Sequence, residues 1–236
     1  MNDETRLSAG GRARDHWRHL ALLISLLVLF VLSPFVITFR FGAVLLNIVA
    51  AAVLLSGTYA VSHRRRSFVI TIVLAAMSVA LSGLVLAWPG HWTILAGHVC
   101  LLLLLGLFSI SILGNVLRAG RITADKIYGA ICVYLLIGYA WTFAFAITDE
   151  LQPGSFSGLL ETGPVDYIAR IMRLRYFSFV TLTTVGYGDI VPLSPAARTM
   201  AMLEAVVGQI YLAVLVARLV GLHIVHATGS RTGTED

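Results

Sequence analysis

Thr181-Leu-Thr-Thr-Val-Gly-Tyr-Gly-Asp189 places two glycines two residues apart directly behind an apolar run. Gly186 and Gly188 admit backbone angles closed to other residues, so successive carbonyls of Thr184-Val185-Gly186-Tyr187-Gly188 can face one axis where a strand would alternate them. A row of carbonyls aimed at one axis is what replaces the hydration shell of a dehydrated potassium ion. Thr184 can add its hydroxyl oxygen at the inner end of such a row. The side chains of Val185 and Tyr187 would then point outward and wedge the loop against its surroundings. Thr183 would support it from behind, and Asp189 would stand at its outer mouth.

The flanks fit that geometry. Tyr176 to Thr184 reads as a short helix dipping part-way into a membrane, which is tolerated where protein surrounds it. Its carboxyl end would bring partial negative charge toward a cation. Downstream, Pro195 is placed to start a long apolar helix, Ala196 to Gly221. With these flanks, the six residues Thr184 to Asp189 resemble the filter signature of the potassium channel family, Thr-Val-Gly-Tyr-Gly followed by Asp. The resemblance is specific for residues 127–221, as outer helix, pore helix, filter and inner helix. It implies potassium held at Thr184, Val185, Gly186 and Tyr187, with potassium as permeant ion and no cofactor. It also implies four filters around one axis. This chain carries one filter, so a homotetramer is expected. By its spacing from the filter, Gly208 matches the family's hinge glycine, with close helix packing as the alternative. Gln209, Leu212, Val216 and Val220 would face the cavity below the filter, or serve packing alone. Were Val216 and Val220 to converge, they would form an apolar ring able to gate by dewetting.

Two ionisable residues within the spans are candidates for modulation. Glu204 on the inner helix needs a partner, water or a proton. It could tune the field near the pore or bond the back of the pore helix, for instance at Thr181 or Thr183. His98 could sense protons, or sit neutral between helices or near the wet interface.

Further outward lie five apolar runs: His19 to Thr38, Phe41 to Ser62, Phe68 to Trp88, Thr93 to Leu117 and Ile127 to Thr148. The first two are joined at Arg40 so tightly that they must form an antiparallel hairpin, with Asn47 and Ser56 free to bond between helices. Basic residues cluster before the first run, at Arg64, Arg65 and Arg66, and at Arg118, Arg121 and Lys126. That asymmetry predicts six spans with both termini cytoplasmic. The polar stretch Asp149 to Arg175 reads as an extracellular turret, with Arg170, Arg173 and Arg175 pairing with Asp166, Glu161 or headgroups. The resulting expectation is an all-α membrane protein of six transmembrane helices plus a re-entrant pore helix and filter loop, assembling as a tetramer. Its parts are a cytoplasmic amino terminus (1–18), a four-helix domain (19–126), a pore domain (127–221) and a short cytoplasmic tail (222–236). The fourth run, Thr93 to Leu117, holds no arginine or lysine. Since each charge moved through the field supplies about 2.3 kcal/mol per 100 mV, steep voltage gating by this helix is not expected.

Of the 236 residues, 58% are hydrophobic and 12% charged, which points to an integral membrane protein. The net charge of +5 follows topology and forms no basic face, so no nucleic acid partner is expected. Cys100 and Cys132, inside apolar runs, read as buried thiols. No nucleophile-base set, phosphate loop or ligand cluster suggests an enzyme. The partners expected are the bilayer and sister subunits, with an unknown regulatory ligand or subunit left open. Short loops suggest a prokaryotic plasma membrane. The alternatives are a nonselective cation channel, a subunit that needs a partner or activation by pH or lipid, and, more distantly, a potassium transporter subunit. Tyr187 argues against the nonselective channel, and the single intact signature against the transporter.

Overall fold

The computed structural model describes residues 18–36, 49–54, 56–58, 65–87, 90–118, 123–159 and 164–229. Side chains at a few helix ends, among them Arg65, Asp166 and Val220, fall outside that description, as do Arg40, Asn47, Glu161 and residues 1–17. Six helices are labelled among the described residues: α1 (Arg18–Val36), α2 (Arg65–Ala87), α3 (His91–Val116), α4 (Ala124–Leu151), α5 (Pro164–Leu182) and α6 (Pro195–Gly229). Residues 49–54 and 56–58 are also helical. No strand occurs among the described residues beyond one isolated bridge between Phe156 and Pro192.

Among the described residues, three helices are long and apolar enough to cross a membrane: His91–Val116, Ala124–Leu151 and Pro195–Arg218. The apolar helical segments His19–Ser33, Val49–Thr58 and Val69–Val85 are shorter. The described residues are therefore helical apart from turns and that bridge, with apolar helices suited to a membrane.

Two expected boundaries move. The stretch read as an irregular turret up to Arg175 is helical from Pro164 onward, so the helix expected as a pore helix over Tyr176 to Thr184 runs from Pro164 to Leu182. Arginines made this segment look like a loop, yet Ile171, Leu174 and Phe177 recur at helical spacing and pack inward, with Leu174 fully buried. Proline suits the first helical turn, where its missing N–H has no partner to lose. The inner helix likewise passes Gly221 and runs to Gly229, because Leu222 to Thr228 contain no breaker.

α4 is the hub, packed against α1, α3, α5 and α6. Its amino terminus is capped by Thr123, whose side chain accepts from the Lys126 N–H. Along its length Ala130, Cys132, Val133, Leu136 and Tyr139 meet Leu22 and Leu26 of α1 and Leu104, Phe108 and Ile112 of α3. Both cysteines are buried free thiols. Ser25 and Ser56 lie 3.0 Å apart, the interhelical bond expected of Ser56. Nearer the outer end of α4, Phe145, Phe156 and Phe177 form a mutually edge-to-face triad with ring centroids 5.0 to 5.5 Å apart.

α4 approaches α5 most closely at Gly138, where a Cβ would stand 2.7 Å from the Phe179 ring. That ring is held edge-on by Phe30 and Tyr139. Gly138→Ala should therefore overpack the contact and destabilise the protein by about 1–3 kcal/mol, read as a lower thermal midpoint in detergent.

Candidate functional site

α5 ends by handing its last carbonyls to the loop that follows. Thr183 N–H donates to Phe179, Thr184 to Thr181 at 2.9 Å, and Val185 to Val180 at 2.9 Å. From Thr184 onward the backbone leaves the helix. Its φ is positive at Thr184 (59°), Gly186 (58°) and Gly188 (78°), and at no residue between them. This alternation in hand removes the side-to-side alternation of carbonyls that a strand imposes. Glycine tolerates such angles freely, whereas at Thr184 the conformation costs on the order of 1–3 kcal/mol and needs the helix-end bonds to hold it. The whole stretch 183–189 is exposed in the single chain, Val185 at 51% and Tyr187 at 72%. The expected outward wedge thus has one partner within the chain: Tyr187 stacks parallel to Tyr176, with centroids 6.5 Å apart.

The arm leaving the loop is laced to the segment after α4. Ser157 N–H donates to Val191 at 2.9 Å, and Leu193 N–H to Ser155 at 2.7 Å. Gly158, at φ 75°, sits so close that a Cβ would meet the Asp189 carbonyl at 2.7 Å. The pore-helix arginines brace this outer frame and do not face the loop. Arg170 pairs with the buried Asp149 and with Glu150, while Asp149 also accepts from the Ser155 N–H. Arg173 donates to the Gly158 carbonyl and Arg175 to Ser33 of α1. The acids used are thus Asp149 and Glu150; Glu161 and the Asp166 side chain lie outside the described residues.

On α6, Gly208 is buried, and a Cβ there would stand 2.6 Å from the carbonyl of Leu182 at the end of α5. Close packing is therefore realised at this glycine. Tyr134 of α4 reaches the same carbonyl at 3.5 Å and stacks on Tyr211, whose hydroxyl donates to Ala130 at 2.6 Å. Gln209, Leu212 and Val216 are exposed on one face, together with Met202, Val206 and Ile210. Only 11% of the apolar stretch of α6 is buried, so most of this helix lacks a cover within the chain. The Val220 side chain lies outside the described residues.

Glu204 is completely buried and bonds the back of the pore helix. Its partner is Ser178, one turn before Thr181, with Glu204 Oε1 and Ser178 Oγ 2.5 Å apart. The same hydroxyl lies 2.8 Å from the Gly138 carbonyl of α4. His98 is also buried, its Nε2 2.9 Å from the Tyr167 hydroxyl and its ring stacked on that tyrosine. It thus occupies the interhelical position, joining α3 to α5. Arg218, near the inner end of α6, donates to the Leu117 and Arg118 carbonyls at the end of α3. Among the described residues, no group of three or more His, Cys, Asp or Glu is placed to hold a metal.

The sequence reading overlooked Ser178, Tyr134 and Tyr211. Tyr134 and Tyr211 are polar groups on apolar helices, which was the available signal, whereas Ser178 stands on a helix that carries three arginines and offered none. Gly208→Ala presses a methyl into the backbone oxygen of Leu182, which cannot turn aside, as well as into the side chain of that residue. It should separate α6 from α5 and cost about 1–3 kcal/mol, measured as a fall in thermal midpoint together with lost ion flux in liposomes.

Residues 163–222 match the family described as ion channel. The inward rectifier potassium channel Kirbac3.1 of Paramagnetospirillum magnetotacticum is 29% identical over 86 residues, covering 35% of this chain and 24% of that protein. Protein LctB of Bacillus caldotenax is 29% identical over 100 residues, 42% of this chain and 74% of LctB. Two pore potassium channel c of Oryza sativa subsp. japonica is 35% identical over 68 residues, 29% of this chain and 14% of that protein. The chain thus spans a quarter or less of the two relatives named as potassium channels. No solved structure matches. The likeness is to channels and not to enzymes: residues 163–222 resemble the ion channel family, and relatives named as potassium channels match at 29–35% identity.

Proposed function

We propose that the chain is the subunit of a homotetrameric, potassium-selective channel that conducts passively across a plasma membrane. One observation carries this reading. At the carboxyl end of α5, Thr184, Gly186 and Gly188 alternate in hand with Val185 and Tyr187, which is the backbone form that a row of ion-coordinating carbonyls requires. Thr184 to Tyr187 would hold the ion, with Thr183 and Asp189 in support; Asp189 lies beside the Tyr176 hydroxyl. The uncovered face of α6 and the exposed loop support four copies around an axis, where Gln209, Leu212, Val216 and Val220 would line the cavity. Gly208, packed on α5, would be the point about which α6 bends.

The six apolar helical segments would all cross the bilayer, with both termini cytoplasmic as the arginine clusters direct. His91–Val116 carries no arginine or lysine, so gating would not rest on charge moved in this helix. The kinship with proteins named as potassium channels supports the choice of ion.

Purified protein in liposomes should pass potassium in preference to sodium. Gly186→Asp puts a side chain and a charge where φ is 58° and should reduce flux to that of empty liposomes. Equal potassium and sodium flux would favour a nonselective channel. Absence of flux under every voltage, pH and lipid tested would favour a subunit that needs a partner.

A further inference from the structure

Ser178 makes two oxygen contacts with one hydrogen. Its hydroxyl lies 2.8 Å from the Gly138 carbonyl and 2.5 Å from Glu204 Oε1, both within hydrogen-bond range. A serine hydroxyl donates once, and a main-chain carbonyl never donates. If Ser178 gives its hydrogen to Gly138, the shorter contact must take its hydrogen from Glu204. The carboxyl then carries a proton, and the order of donation runs from Glu204 to Ser178 to Gly138.

The surroundings agree with a neutral acid. Glu204 is fully buried, and its second oxygen, Oε2, has no hydrogen-bond partner among the described residues. An ionised carboxylate with one bare buried oxygen and no cation is expensive, whereas the protonated acid is far less so. From α4, the ionisable group that faces it is the phenol of Tyr134. From α5 it meets the Ser178 hydroxyl, while Arg175 on the same helix turns to Ser33, Phe30 and Tyr139. The arginines of α6 itself point elsewhere, Arg198 to the Pro192 carbonyl and Arg218 to those of Leu117 and Arg118. Among the described residues none forms an ion pair with Glu204.

We propose that Glu204 is a proton-binding positioning residue, whose protonated form ties inner helix, pore helix and outer helix together through Ser178, and whose ionisation releases that tie. The role rests on reading residues 184–188 as an ion filter. Ser178 lies on the helix that presents this loop, so the tie fixes where the filter stands. On ionisation the proton passes to water. The Ser178 hydrogen then turns from Gly138 to the carboxylate, and α5 loses this one of its bonds to α4. Gly138 keeps the hydroxyl of Thr142 at 2.9 Å, so the loss falls on the pore helix and not on α4.

Difference infrared spectra of the purified protein across a pH titration read the proton directly, independently of flux. A protonated carboxylic acid band should be present in the wild type, vanish on raising the pH, and be missing from Glu204→Gln. In liposomes, wild-type potassium flux or its preference over sodium should fall as pH rises, by about tenfold per unit once past the midpoint of a single titrating group. Glu204→Gln, which keeps a neutral donor, should conduct selectively and lose this pH dependence. Ser178→Ala should lower flux or selectivity at every pH, even where Glu204→Ala fails to fold. The proposal is overturned if the wild type shows no acid band lost in Glu204→Gln, or if its flux is insensitive to pH. It is equally overturned if the pH dependence persists in Glu204→Gln and is removed by His98→Gln. Absence of potassium-selective flux from the wild type at any pH would overturn the pore reading, and the positioning role with it, whatever the infrared band shows.

Discussion

A stretch of backbone that is neither helix nor sheet, set at membrane depth, has to be satisfied by the protein around it. In the proposed pore, residues 184–188 are such a stretch. Alternation in hand denies them both the helical ladder and the strand ladder, so they cannot stabilise themselves. Their inner end borrows carbonyls at the end of α5, through Thr183, Thr184 and Val185. Their outer end is continued by an arm laced to residues 155–157. The remaining helices can be understood by asking what holds α5 in place.

Three kinds of contact do so. The Phe145, Phe156 and Phe177 triad fills the space behind α5 with interlocking rings. Asp149 serves as a junction, bonding both the loop after α4 and Arg170 of α5. Toward the inner side α6 approaches so closely at Gly208 that no side chain fits, and Glu204 reaches the same helix through Ser178. Packing supplies most of the contact area, while the few polar contacts fix register, since each tolerates little sliding.

How legible this was depended on whether the signal was local. The loop could be read from five adjacent residues, because a glycine at two alternate positions states a backbone requirement by itself. The apolar helices could be read from composition. The start of α5 could not, because charged arginines over residues 164–175 masked the helical spacing of Ile171 and Leu174, and the acids that neutralise Arg170 stand on another helix. The need of Glu204 for a partner was legible, but its identity was not: choosing Ser178 over Thr181 or Thr183 requires the rotation of α5 against α6, which no local pattern encodes. The uncovered face of α6 was visible only as an apolar run, and that says nothing of which side the chain itself conceals.

The bonds of α1 carry a consequence for biogenesis. His19 meets Asp125 at 2.7 Å, Tyr139 reaches the Leu26 carbonyl, and Arg175 reaches Ser33; these pairs lie 106, 113 and 142 residues apart in the chain. At ribosomal speeds of roughly 5–20 residues per second, α1 emerges about 5–20 seconds before the first of these partners exists. During that interval its histidine and serines must be satisfied by headgroups, by their own helix or by the insertion machinery. Ser25 and Ser33 already bond carbonyls three residues back, which lets the helix wait in lipid. The order of synthesis therefore favours an amino-terminal helix that is self-sufficient first and a structural partner later.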